Sequence, residues 1–424
     1  MGKYLASNKR TFPTLEGVCV RIDPFVAILL ALTPILQHYR APIFNAALTV
    51  LVVLVPYMLL RTIPKLRDYK QSNLPVVAVM ILYLIYRIID HGTSMTELGQ
   101  SGVLIIYFLA LAFSSVDVKT FCKAGVFISL VASVLLIVQC VSFYVFHKHL
   151  QMVPTGLLLP SADQWILGAQ TGLAGITGKM NDFYRPSAFF LEPSHVYIYL
   201  FPHLLMLLFA GKTKRTLIEA AIVTMGLVLC TSAMGIAFVL GSWALYFVLY
   251  DNKTKTFSVK NIIKIRNVIL LDILIVIFIL AVLYVPTVRR TVTRIFTTGT
   301  GVTAITGRIS KALAGLENMT FLQWIIGVED TTHSITYNMP GLVAALYRHG
   351  LIGMVMSISI CVQALFKLKL PFALVAVVVL ATSCFSAHTH STVGMLYFSF
   401  ILMYGFQTQR REKRLVRKLR TGKA

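Results

Sequence analysis

Apolar runs of about 20 residues recur along the whole chain, separated by short polar stretches. Coiled into a helix, such a run matches the ~30 Å hydrocarbon core of a bilayer. The pattern predicts helices that span a membrane near 24–38, 41–60, 74–90, 102–116, 124–146, 195–211, 216–232, 234–250, 268–285, 340–366, 370–386 and 393–406. The first is short and contains Pro34, which fits a partly interfacial helix. Most connections are brief, but 147–194 and 286–339 are long, and long loops without a domain of their own are often functional. No internal repeat, low-complexity tract or soluble domain is visible, so residues 1–424 read as a single integral membrane domain. The N-terminus is polar and the first apolar run lacks a small-residue cleavage site, so no cleavable signal is expected.

Composition supports this all-α polytopic class. The 424 residues are 57% hydrophobic and 13% charged, with mean hydropathy +0.77. A soluble protein of this size could not bury so much apolar surface. The net charge of +23 does not indicate a nucleic-acid partner, because most basic residues sit in short loops and tails. There they orient the chain and meet anionic membrane lipid.

Charge placement also assigns the sides. The tail 407–424 carries Arg410, Arg411, Lys413, Arg414, Arg417, Lys418, Arg420 and Lys423, which marks it cytoplasmic. Lys3, Lys9, Arg10 and Arg21 agree for the N-terminus. Alternate loops are basic too: Arg61, Lys65, Arg67 and Lys70; Lys119 and Lys123; Lys212, Lys214 and Arg215; the run from Lys253 to Arg266; Lys367 and Lys369. Thr216–Tyr250 is short for two full spans, and it is divided where Thr231-Ser232-Ala233-Met234-Gly235 interrupts the apolar run. Reading it as one span would put the basic tail outside. The six cysteines lie in spans or at the inner side and read as buried structural thiols.

With these sides, both long loops face outward. The second carries Arg289, Arg290, Arg294, Arg308 and Lys311, with no acid before Glu317. Val288, Val292, Ile295 and Phe296 share one helical face, with Arg290 and Arg294 on the other; Ile309, Ala312, Leu313 and Leu316 repeat the pattern beside Arg308 and Lys311. Two short amphipathic helices at the membrane surface are expected. Each arginine alone reads equally well as a headgroup anchor. Five bases without an intervening acid read as an anion site, for which the planar guanidinium fork is suited.

A second constellation, Arg185-Pro-Ser-Ala-Phe-Phe-Leu-Glu192-Pro193-Ser-His195, ends the first long loop. Pro193 fits the first turn of a helix, and Glu192 beside it is favoured by the helix dipole. Two readings stand: a helix-start carboxylate paired with Arg185, or a general base with Arg185 as a phosphate contact.

This segment resembles the Arg…Phe-x-Glu-Pro pattern of the Wzy-type O-antigen and capsular polysaccharide polymerases. Thr231-Ser232-Ala233-Met234-Gly235 stands where that family has a Ser-rich turn, without its arginine. Thr306-Gly307-Arg308 resembles the Gly-Arg of its large outer loop. Gly327, His333, Asn338 and Gly350-Leu351-Ile352-Gly353 resemble the loop's ending, although Tyr337 precedes Asn338 where related ligases have His. The resemblance implies a GT-C-like fold with about twelve transmembrane helices in the bacterial inner membrane, both termini cytoplasmic. It implies an enzyme that joins undecaprenyl-diphosphate-linked oligosaccharides at the outer face. Glu192 and Arg308 would be catalytic. Arg185, Arg289, Arg290, Arg294 and Lys311 would bind the diphosphate, and His195, His333, Tyr337 and Asn338 are candidate sugar or acceptor contacts. A chain-length regulator is an expected partner.

Neither outer loop contains an Asp-x-Asp-like acidic pair, so a mechanism without metal or other cofactor is expected. Tyr184, Tyr197, Tyr199 and Trp165 read as sugar-stacking rings or as interface anchors. Arg87 and Asp90 read as a local pair, as does Glu219 with Arg215. Two other functions share this layout: an O-antigen ligase with a lipid A–core acceptor, and a lipid-linked oligosaccharide flippase. Transporters tend to carry repeats and mid-membrane charge, which this chain lacks.

Overall fold

The computed structural model describes residues 15–42, 44–90, 95–153, 155–159, 186–211, 213–230, 233–251, 256–257, 265–284, 289, 314–328, 339–384, 386 and 391–420. The fold is all-helical, with one two-residue ladder of Tyr250–Asp251 on Thr256–Phe257. The helices are α1 (Leu15–Leu36), α2 (Ala46–Thr62), α3 (Leu74–Asp90), α4 (Met95–Ala112), α5 (Val118–Tyr144), α6 (Pro193–Phe209), α7 (Lys214–Leu229), α8 (Ala233–Leu249), α9 (Ile265–Tyr284), α10 (Phe321–Ile326), α11 (Gly341–Ser357), α12 (Ser359–Lys367), α13 (Leu370–Ser383) and α14 (Thr392–Arg420). A 3-10 stretch, Ile63–Gln71, prolongs α2. Every apolar run of the sequence contains a helix. Three stretches, Ala46–Arg67, Val118–Tyr144 and Gly341–Lys367, have the length and apolarity to cross a membrane, and six further apolar helices are shorter.

Polar residues set the helix starts. The Asn45 side chain accepts from the Leu48 amide, Asp117 from that of Thr120, and Thr213 from that of Thr216. Each cap satisfies a first-turn amide that has no partner within its helix.

Two elements differ from the sequence pattern. α1 begins at Leu15, well before the apolar run, and packs Ala27, Leu30 and Ala31 into the core. It passes through Asp23 because that carboxylate accepts from the Tyr57 hydroxyl and the Arg61 guanidinium of α2. The run 340–366 is two helices, divided at Ile358, and α11 is itself kinked at Gly350.

The division of 216–250 is present in the fold. Cys230 closes α7, and α8 starts at Ala233. Tyr197 and Phe201 of α6 meet Phe238 of α8, and Phe209 meets Tyr246. α6 and α8 therefore run parallel, with α7 antiparallel between them.

The core draws on α1 to α8 and α12 to α14, with Tyr107, Phe121, Tyr199, Phe201, Tyr397 and Phe400 fully buried. Connections divide its two ends. At one, Arg40 donates to the Leu157 carbonyl, Leu159 to that of His38 and Tyr39 to that of Phe189. This is the loop end. At the other, Lys65 reaches Ser114, Asn73 reaches Ala112, Arg410 reaches Ser72, and Lys369 pairs with Glu412. This is the basic end.

Candidate functional site

The loop end is built around Gln139. This buried side chain on α5 donates to the Leu150 carbonyl at 2.9 Å and accepts from the Ala188 amide at 2.8 Å. One residue thus holds both arms of the first long loop. Ala188 takes a left-handed φ of 49°, and Phe190 then folds back on Ser187 through a 2.9 Å backbone bond. Burial pushes the Tyr39 phenol up, so it stays protonated and donates to Phe189 at 3.2 Å.

These contacts deliver Glu192 to the start of α6. It is the N-cap residue, with Pro193 at the first helical position. Its carbonyl accepts from the amides of His195 and Val196. Its side chain makes no capping bond. One carboxylate oxygen accepts from the Ser194 hydroxyl at 2.8 Å; the other has no hydrogen-bond partner among the described residues. A half-buried carboxylate that leaves the capping role unused keeps a lone pair available for another proton. The expected helix start at Pro193 is present, and the expected partner Arg185 lies outside the described residues.

Below Glu192, α6 presents His195, Tyr199 and His203 on one face. His195 is buried and stacks on His38 of the α1–α2 connection at 4.5 Å and 7°. Beneath the pair lies a cavity of about 20 Å³, room for about one water, lined by Gln37, His195, Tyr199 and Tyr397. Deeper still, the Tyr397 hydroxyl lies 2.8 Å from Nε2 of His203 and donates to the Tyr199 carbonyl at 2.8 Å. Tyr199 in turn donates to Ala31. The expected sugar-stacking roles of Tyr197 and Tyr199 do not hold: both rings are buried, against Phe238 and Tyr397 respectively. Alternate residues of α6 face neighbouring helices, so aromatic character there serves the core.

A third feature joins α10 to α11. Val328 donates to the Tyr347 carbonyl at 2.8 Å, and Tyr86 of α3 donates to that of Ile326. Gly327 (φ 99°) and Gly350 (φ 62°) face one another across this contact. A Cβ on Gly327 would lie 2.2 Å from the Arg348 oxygen, and one on Gly350 would lie 2.1 Å from the Ile325 oxygen. Two glycines from the resemblance thus form one backbone clasp. Between them in the chain stand Arg348 and buried His349, whose ring meets Tyr83 and Tyr86 edge-on. Arg87 lies over the Tyr83 ring; the side chain of Asp90, its expected partner, lies outside the described residues. Arg348 and His349 were not singled out from the sequence. Their signal was faint: two polar residues next to a glycine inside an apolar run.

Of the remaining candidates, Arg289 is exposed. Arg185, Arg290, Arg294, Arg308, Lys311, His333, Tyr337 and Asn338 lie outside the described residues. Of the second amphipathic pattern, Leu316 is buried with Met339 and Tyr347. Glu219 pairs with Arg215 at 2.9 Å. Among the described residues, Cys122, Cys140, Cys230 and Cys361 are buried thiols, whereas the Cys384 thiol is exposed at the end of α13. Comparison with family models, with curated proteins and with solved structures finds no match to this chain.

Proposed function

We propose that this chain is a bacterial inner-membrane glycosyltransferase that polymerises undecaprenyl-diphosphate-linked repeat units into O-antigen or capsular polysaccharide at the outer face. In this reading the protein has twelve spans, with both termini in the cytoplasm and the loop end outside. The observation that carries the proposal is Glu192, a carboxylate fixed at the loop end of the bundle with one oxygen that no described residue engages.

Glu192 takes the proton of an acceptor sugar hydroxyl. The acceptor oxygen forms a bond to the donor's anomeric carbon as the bond from that carbon to the diphosphate oxygen breaks. Negative charge grows on the leaving lipid diphosphate. Arg308, with Arg185, Arg289, Arg290, Arg294 and Lys311, stabilises that charge as a fixed electrostatic clamp. His333, Tyr337 and Asn338 would orient the sugars, and buried His195 would act only through its stack on His38.

The test is deletion of the gene in its native strain, followed by profiling of surface polysaccharide. The expected result is single repeat units, restored to long chains by the wild type and not by Glu192→Gln. Long polymer left on the carrier lipid would identify a ligase instead, and units trapped inside would identify a flippase. Full polymer from Glu192→Gln would remove this residue as the base.

A further inference from the structure

The basic end holds a second polar cavity that the outer-face chemistry does not use. Its volume is about 220 Å³, more than ten times the roughly 10–15 Å³ that admits one water. α1, α2, α14 and the α4–α5 connection wall it, with Asp23, Arg61, Ser114, Asp117, Lys119 and Arg411 in the lining.

Its carboxylates are already engaged. Asp117 accepts from the Thr120 amide at 3.1 Å and from the Thr120 hydroxyl at 2.6 Å. Asp23 accepts from Tyr57 and Arg61, one on each oxygen. Two of the cations keep capacity to spare. Lys119 and Arg411 are exposed, and no ion pair among the described residues uses them. The N-terminus of α5, at Val118, opens on the same space, with the Asp117 side chain as its cap. Lys65 donates to the Ser114 carbonyl at 2.9 Å beside the cavity.

We infer that this cavity binds a phosphate group, held by Lys119 and Arg411 beside Arg61. Ammonium groups and guanidinium forks are suited to phosphate oxygens. Two sources offer that chemistry: the headgroup of an anionic phospholipid in the adjacent leaflet, or a soluble phosphate ester.

The experiment uses the full chain in nanodiscs and reads the thermal unfolding midpoint. One arm compares phosphatidylglycerol-containing discs with pure phosphatidylcholine discs; the other adds inorganic phosphate to the phosphatidylcholine discs. The Lys119→Ala/Arg411→Ala double variant removes two exposed charges from the cavity. Lys123→Ala/Lys413→Ala removes two exposed charges that do not line it. A midpoint rise in phosphatidylglycerol, lost in the first variant and kept in the second, establishes a headgroup site. The same pattern with inorganic phosphate establishes a soluble ester site. In either case apparent affinity should fall about tenfold or more in the cavity variant. Absence of a rise with both probes overturns the inference. So does a rise that survives in the cavity variant, or one that both variants lose equally.

Discussion

Gly350→Ala tests the backbone clasp between α10 and α11. The residue sits at φ 62° and ψ −171°, a region populated almost only by glycine, where another residue costs on the order of 1–3 kcal/mol. The new methyl would also lie 2.1 Å from the Ile325 oxygen and 2.3 Å from its carbonyl carbon. That neighbour is main chain, so it cannot yield by rotating a side chain, and overpacking of this kind costs about 1–3 kcal/mol more. The expected loss is therefore about 2–6 kcal/mol, a large share of the ~5–15 kcal/mol that stabilises a typical fold. The clasp is reciprocal, which gives a second expectation. Gly327→Ala opens the same contact from the other side, so the double variant should cost less than the sum of the singles by at least ~1 kcal/mol. Gly241→Ala is the control: a Cβ there meets nothing within 4 Å, and α8 should be unchanged or gain about 0.5–1 kcal/mol. Denaturant titration in mixed micelles measures all four variants. A Gly350→Ala protein within ~0.5 kcal/mol of wild type, the range of an ordinary surface change, would refute the clasp. Strictly additive singles would refute its reciprocity.

Four further outcomes are expected. Gln139→Ala leaves the Leu150 carbonyl and the Ala188 amide without their partner, so at about 1–3 kcal/mol per group protease should cut the first long loop faster; an unchanged digestion pattern would contradict its anchoring role. Tyr397→Phe removes the bonds to His203 and the Tyr199 carbonyl and should lower stability by about 1–3 kcal/mol, read as a lower unfolding midpoint with polymer length unchanged. Asp23→Asn should destabilise by roughly 1.5–3 kcal/mol, the range of a charge-assisted hydrogen bond, because the Arg61 guanidinium loses its anionic partner; equal stability in the same titration would show that solvent replaces it. Arg308→Ala and Arg290→Ala should each abolish polymer while membrane levels of the protein stay constant by immunoblot, and normal chain lengths in both would sink the diphosphate clamp.

Helix positions were legible because each long apolar run contains a helix, and such runs survive any detail of packing. The turn between α7 and α8 could be placed because Thr231 and Ser232 interrupt one. The start of α1 was not legible, because Asp23 looks like a terminus until Tyr57 and Arg61, far away in sequence, are brought to it. The same holds for the Gly350 kink, which depends on a partner backbone at Ile325. At the candidate site, Pro193 announced the helix start at Glu192, and local chemistry sufficed. Nothing local could reveal that His195 would stack on His38, or that Tyr199 would turn to the core. Those outcomes depend on which neighbouring helix covers each face of α6.

The last helix carries one more consequence. α14 has 29 residues, about 43 Å at 1.5 Å per residue. The hydrocarbon core takes up only ~30 Å of that. In the twelve-span orientation, the remaining ~13 Å stands clear of the membrane as a stiff basic post. Arg410 guys it to Ser72 and Asn73, and Glu412 to Lys369. A fluorescent domain fused to the C-terminus would then sit at a set height above the lipid, and its energy transfer to a membrane dye would gauge that height directly.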